Sequence, residues 1–261
     1  TVQPYYEKIR LYSDIEHRDL WEYKLNLTQD EVDLMIAHAW EIRDRNFDYY
    51  FFDENCAYRL LALIDIARPG TDLLGEVSTH AIPSDTVRWV VDKDLVSEVY
   101  YRPSAATSVA YSLSSLPDDQ QTLAAAVANG YVAADGSEVK SLPAEQRAHV
   151  LDATYDYVRY KSEADGWPRE IAAPLSHDLL RERSQISDVA PPEEPPEPVV
   201  RDDQGHDTFR LSLGAGQQAH REFTQLTLRP AYHDVLDPPA GYRTGAQLQF
   251  LRLDARLYTD N

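Results

Sequence analysis

One cysteine and one methionine stand among 261 residues, and basic residues are scarce beside acidic ones: 25 Lys and Arg against 44 Asp and Glu, a net charge of −19. The lone thiol, Cys56, excludes an internal disulfide framework and any zinc site built on cysteines. The acidic surplus lacks the basic footprint of a nucleic-acid binder, so no nucleic-acid partner is expected. It also disfavours electrostatic attachment to anionic lipid. No run approaches the roughly 18 apolar residues of a membrane-spanning helix, and no signal peptide is legible. The first residue is Thr1 and the only methionine is Met35, so the chain reads as a processed or excised piece. There is no HExxH, no pair of histidines at i, i+4, no GxSxG and no phosphate-cradling GxxxxGK[ST]. The eight histidines are scattered; His233, Asp234 and Asp237 read as a polar turn, and neither a metal nor a cofactor is expected.

What is present is enough apolar sequence for a core, 43% of the chain. The stretch from Phe47 to Gly70 organises the reading. Asn55 is a good helix start, and Leu60, Leu61, Leu63, Ile64 and Ala67 recur at the spacing of one buried face. Pro69-Gly70 ends that helix. Cys56 then falls in its first turn, where unpaired N–H groups and the positive end of the helix dipole stabilise negative charge. A lone cysteine is equally a small hydrophobe that packs. The aromatic run Tyr49-Tyr50-Phe51-Phe52 reads either as a pocket wall or as core.

In chain order, residues 5–12 and 19–27 read as strands that pair as a hairpin. Thr28 and Glu31 form a capping box for a helix to about Arg45, with Val32, Met35, Ile36, Ala39 and Trp40 inward. Ser84 caps a short helix, and residues 95–101 form a further strand. Helices follow near 105–115, 119–129, 144–163 and 169–185. Val150, Leu151, Tyr155, Tyr157 and Val158 supply the inward face of the longest. The run VAPPEEPPEP is an extended linker. Beyond it the period changes to two: Phe209, Leu211 and Leu213, a turn at Gly214-Ala215-Gly216, then Thr224, Leu226 and Leu228, and a last stretch whose phase slips at Phe250-Leu251 as at a bulge. The division expected is a core over 1–104, a helical region over 105–188, a linker over 189–200 and a β segment over 201–261, an α+β chain. Such alternating strands suit a larger sheet or an outer-membrane barrel, and many soluble sheets as well.

Four blocks carry a resemblance: Arg18-Asp19-Leu20-Trp21-Glu22-Tyr23, Tyr50-Phe51-Phe52-Asp53-Glu54-Asn55-Cys56, Pro83-Ser84-Asp85-Thr86 and Tyr101-Arg102-Pro103-Ser104. They resemble the bacterial envelope family known as the Lnb N-terminal periplasmic domain, over roughly residues 5–104. The segment from Gly205 to Tyr258 resembles the β-rich C-terminal part of longer Gram-negative members. The resemblance implies a circularly permuted papain-like (NlpC/P60-like) thiol core with a helical insertion, located in the periplasm or cell envelope. It implies that Cys56 takes an acyl group as a thioester, since characterised members move an acyl chain onto the N-terminal cysteine amine of a lipoprotein. Asn55, Tyr50 and Arg18 are the candidates to surround the thiol. The family's Gly-His motif belongs upstream of the first block, so this chain is expected to lack its base; His17 and His80 are the nearest substitutes. His206 echoes the Gly-His motif but reads as a residue of the β segment.

The leading expectation is thus a cell-envelope thiol acyltransferase or hydrolase acting on a lipoprotein or another acylated substrate. A non-catalytic scaffold attached to the outer membrane, and a thiol peptidase or amidase on cell-wall peptide, are the alternatives. A scaffold buries Cys56 with no cavity and no basic partner, an acyltransferase needs an apolar groove leading to it, and a peptidase needs an open polar cleft with a histidine within reach.

Overall fold

A computed structural model of the chain describes residues 12, 18–50, 54–77, 81–230, 232–243 and 245–259. The chain forms two compact units, one of residues 1–22 and 100–197 and one of residues 23–99 and 198–261. Helix outweighs strand, and the pairings of the C-terminal strands are antiparallel, so the class is α+β. Of the strand expected at 5–12, residues 5–11 lie outside the described residues. The partner of β1 (Leu20–Leu25) is β2 (Val96–Arg102).

The first unit is helical. It contains α4 (Ala105–Ser114), α5 (Asp118–Ala128), the single turn α6 (Ser137–Lys140), α7 (Ala144–Ala164) and α8 (Arg169–Ser184). Alanines let α7 approach its neighbours closely: Ala148, Val150, Leu151, Ala153, Thr154 and Val158 are buried. Tyr155 and Tyr157, expected inside, pack only at the rim of that core. The linker has no regular structure, and Asp188–Glu193 line a groove of about 590 Å³ together with Tyr111, Glu145 and His149.

The second unit begins with α1 (Gln29–Glu41), capped as its sequence dictates: the Glu31 N–H donates to the Thr28 hydroxyl, and the Thr28 N–H donates to the Glu31 carboxylate. Nothing on α1 is buried, and Met35 alone of its expected inward face joins the core of Leu61, Ile64, Leu73, Val90 and Leu95. Ile36 and Trp40 are exposed, and the Arg43 guanidinium covers the Trp40 ring at 3.9 Å. The helix therefore meets the rest of the unit along an edge rather than a full stripe. Glu31 also receives a two-pronged contact from Arg68, at 2.7 and 2.8 Å. That guanidinium and the Thr28 N–H lower its carboxyl from the ordinary 4.5 to about 2. A carboxyl depressed in the folded state contributes stability that is complete above its unfolded value and is lost as pH falls towards 2. Denaturation midpoints measured between pH 5 and pH 2 should fall more steeply in the wild type than in Glu31→Gln.

Helix α2 (Cys56–Ala67) is followed by a 3-10 turn at Leu74–Glu76, whose entry is tied down by Asp65: its carboxylate accepts from the N–H groups of Leu73 and Leu74. Helix α3 (Pro83–Asp92) starts one residue before the expected cap. Proline fits the first helical position because its fixed φ is helical and its missing N–H has no partner there.

The C-terminal segment gives β3 (Arg210–Gln218), β4 (Arg221–Arg229), the short pair β5 (Tyr232–His233) and β6 (Leu248–Gln249), and β7 (Leu253–Tyr258), with β3-β4-β7 in one sheet. Strand β3 runs straight through Gly214–Gly216, the expected turn. A Cβ on Gly216 would stand 2.7 Å from the Phe223 ring, so glycine here admits a cross-strand aromatic. The reversal falls at Ala219 and His220, both with positive φ, 50° and 66°, the two-residue hairpin that suits strand twist. The phase slip at Phe250-Leu251 is a change of sheet rather than a bulge, because β6 pairs with β5 and β7 with β4.

The three-stranded sheet is sorted by face. In register, Leu211, Leu228 and Leu253 form one row, Leu213, Leu226 and Ala255 the next, Ala215, Thr224 and Leu257 a third. This apolar face points outward, with Leu213 85% and Leu257 76% exposed. The opposite face is polar and holds the buried residues: Thr227 and Arg229 are inside, and Gln225, Thr227 and Asp254 hydrogen-bond across the strands. Among the described residues no helix is long and apolar enough to cross a membrane.

Candidate thiol site

The sequence places Cys56 by its neighbour. Asn55 takes the extended conformation of an N-cap, and its carbonyl oxygen accepts from the N–H groups of Ala57 (3.0 Å) and Tyr58 (3.2 Å). Its amide donates to the Ala81 carbonyl at 2.6 Å. Both ends of this buried side chain thus hold the start of α2, which makes Asn55 a positioning residue for Cys56. Replacement by alanine removes a helix cap, worth about 1 kcal/mol, and strands the Ala81 carbonyl, worth about 1 kcal/mol more. Urea denaturation should register their sum, about 2 kcal/mol, and Asn55→Asp should recover the cap's share.

Cys56 is the first residue of α2 and its thiol is exposed. The helix buries Ala57, Leu61, Ile64 and Ala67. Leu60, expected among them, lies instead on the outer side at 54% exposure. It stands one turn beyond Cys56 on the same side of the helix. Glu54 pairs with Arg59, whose guanidinium lies 4.6 Å from the Phe47 ring. Phe47, Tyr49 and Tyr50 are all exposed, so the described part of the aromatic run is surface rather than core. Phe51, Phe52, Asp53, His17 and His80 lie outside the described residues. Arg18 belongs to the other compact unit, where its N–H donates to the Tyr12 carbonyl.

The remaining described residues of the four blocks hold the fold. The Asp19 carboxylate accepts from the Ser104 N–H (2.8 Å) and the Thr107 hydroxyl (2.7 Å), binding the first block to the last at the start of α4. Burial pushes this carboxyl up, but the hydrogen bonds outweigh it and hold it below the ordinary carboxylate range. Trp21 packs on Tyr101 with ring centroids 4.9 Å apart, and Glu22 pairs with Arg102 at 2.8 Å. In the second unit Asp85 pairs with Arg88 and accepts from the Thr208 hydroxyl. Tyr23 donates to Asp203 at 2.6 Å. Burial and that carboxylate push the Tyr23 phenol well up, while Arg201 and Tyr23 hold Asp203 low despite its burial.

Sequence reasoning missed Arg88. Its side chain donates to the backbone carbonyls of Asp203 (2.7 Å), Gly205 (3.1 Å) and His206 (2.9 Å). No local signal marks a contact across more than a hundred residues.

Comparison with known families divides the chain into three. Residues 1–93 match the model of the Lnb N-terminal periplasmic domain. Residues 99–195 and 199–261 match two domains of unknown function, DUF7842 and DUF7840. No curated protein and no solved structure matches the chain.

Proposed function

From the premise that residues 1–93 belong to the Lnb N-terminal periplasmic domain family, and so to a cell-envelope protein, we propose a thiol acyltransferase or hydrolase with Cys56 as nucleophile. The Cys56 sulfur attacks the carbonyl carbon of an acyl ester; the ester alcohol leaves with the thiol proton, and a thioester remains. An amine, or water, then attacks the thioester and restores the thiol. The substrate class is a lipoprotein or another acylated envelope molecule, within a permuted papain-like core. The base is a histidine that the family resemblance puts upstream of the Arg18–Tyr23 block, in a Gly-His motif that residues 1–17 do not contain.

One observation carries this reading. Asn55, Glu54 and the polar residues Asp19, Glu22 and Asp85 of the companion blocks are spent on caps and ion pairs, whereas Cys56, like Tyr50 of the same block, is exposed, and it stands at a helix start. A scaffold cysteine would be packed. The exposed Leu60 and the exposed aromatics of the same unit suit an acyl chain better than a polar peptide. The test is incubation with a diacylated lipopeptide. The intact mass should rise by one acyl chain that hydroxylamine removes, and Cys56→Ser should gain none, with turnover reduced at least about 1000-fold. A wild-type protein that is alkylated by iodoacetamide yet never acylated would overturn the reading. Release of products from cell-wall peptide instead would establish the peptidase alternative.

The β3-β4-β7 sheet supports a second element of the proposal, outer-membrane association. Its leucine face is outward and its hydrogen-bonded polar face inward, the reverse of a soluble sheet and the sorting of a barrel wall in lipid. Strands β3 and β4, of nine residues each, reach the lower end of the roughly 9–11 residues that a tilted membrane strand needs, whereas β7, of six, covers only part of that span.

A further inference from the structure

The C-terminal part of the second unit brings together two histidines and a carboxylate that the linear sequence separates. His206 Nε2 lies 2.9 Å from His233 Nδ1, and one ligand atom from each of His206, His233 and Asp237 falls within 4.8 Å of the others. His233 and Asp237 are buried and His206 is half-buried. We propose that these three side chains form a binding site for a divalent first-row transition metal, with Zn²⁺ the best match. The inference is independent of the thiol chemistry.

The hydrogen bonds around the cluster set the ligand atoms. His206 Nδ1 lies 2.7 Å from the Asp207 carbonyl, which can only accept, so Nδ1 carries the proton and Nε2 is the lone-pair nitrogen. A backbone carbonyl holding the far nitrogen is the usual outer partner of a metal-binding histidine. The bond between the rings is then donated by His233 Nδ1. A metal replaces that shared proton: His233 gives up the Nδ1 proton and takes one at Nε2, and the ring stays neutral. Two imidazole nitrogens on a tetrahedral zinc at about 2.05 Å stand about 3.3 Å apart. The rings therefore need to part by only about 0.4 Å.

The cage is stiff. Tyr242 stacks on His233 with centroids 3.8 Å apart and planes 3° apart, and on His206 at 4.6 Å, while its hydroxyl donates to the His206 carbonyl. Asp237 is oriented by Arg210 on one oxygen and by the Asp234 N–H on the other, each at 2.9 Å. A carboxylate has about four lone-pair positions, so these two bonds leave it able to ligate. Two neutral imidazoles and one carboxylate are a known zinc donor set with a fourth position for water or substrate. The chain's acidity argues for a cation over an anion here. Arg210, and Arg229 at 3.9 Å from Asp237, moderate the affinity.

Cobalt titration of the EDTA-treated full chain tests this. One equivalent of Co²⁺ should give the intense visible absorption of a four-coordinate site, which one equivalent of Zn²⁺ should bleach. His206→Gln and His233→Gln should abolish it, and His220→Ala, in the exposed hairpin turn, should leave it intact. Should either glutamine variant be unfolded by circular dichroism, X-ray absorption of the zinc-loaded wild type decides, with two imidazoles and a carboxylate as the expected shell. Absence of four-coordinate cobalt in the wild type, its persistence in both folded glutamine variants, or a different donor set would overturn the site.

Discussion

Arg88→Ala should cost the protein about 3 kcal/mol, the scale on which breaking a largely buried, multiply bonded ion pair falls. The guanidinium sits on α3 with its side chain 15% accessible and its partner Asp85 at 17%. It supplies hydrogen bonds to one carboxylate and three backbone carbonyls, all within the second unit. Removing it takes the Arg88 donors from the Asp203 and Gly205 carbonyls, leaves the His206 carbonyl with the Tyr242 hydroxyl, and leaves Asp85 with the Thr208 hydroxyl. Lysine should recover little, because a point charge cannot span four acceptors that a planar fork reaches. Urea denaturation followed by far-ultraviolet circular dichroism measures the loss. Arg181→Ala is the comparison: that guanidinium is half exposed, and its pair with Asp178 is worth at most about 0.5 kcal/mol. A loss for Arg88→Ala no larger than for Arg181→Ala would mean that the segment after residue 198 is held by other contacts.

The same residue shows where sequence reading succeeds and stops. Caps are local chemistry, so Thr28 with Glu31 and Asn55 before Cys56 could be read directly, and with them the position of the thiol in the first turn. The helical period located four of the five helices after residue 104 and missed α6, a single turn anchored by the fully buried Val139. Which face of a helix is buried depends on what arrives from elsewhere. Trp40, Ile36 and Leu60 look inward by period, yet all three are exposed, and among the described residues no neighbouring helix or strand buries them. Glycine misled at Gly214–Gly216, since a strand and a turn both use its lack of a side chain; the positive φ angles at Ala219 and His220 had no such marker. The cluster of His206, His233 and Asp237 depends on a return of the chain through β3 and β4. Its aspartate and one of its histidines read as no more than a polar turn.

The inverted sheet yields the other large effect. If its leucine face meets lipid, a charge placed there should be far more costly to membrane association than a charge on the polar face. Leu213 and Leu257 are the most exposed leucines of the apolar rows, on the two outer strands. Arginine near the midplane of a bilayer costs about 2–4 kcal/mol on a barrel's outer face, so each of Leu213→Arg and Leu257→Arg should weaken partition into neutral phosphatidylcholine vesicles or micelles by roughly 30- to 1000-fold. Gln225→Arg, on the polar face, should change it little. Neutral lipid is the right probe, because a chain with a net charge of −19 is repelled by anionic membranes. The outer strands β3 and β7 each leave one edge outside the three-stranded sheet, and hydrocarbon does not tolerate open edges. Lipid contact therefore requires those edges to be paired, by further strands of a parent chain or by other copies. Size-exclusion chromatography separates the outcomes. A dimer that persists without lipid or detergent, and that Leu213→Arg dissociates, would assign the leucine face to a second copy and overturn the membrane reading. A chain that is monomeric without lipid and that enters micelles as an assembly of copies, only while Leu213 and Leu257 are intact, would uphold it.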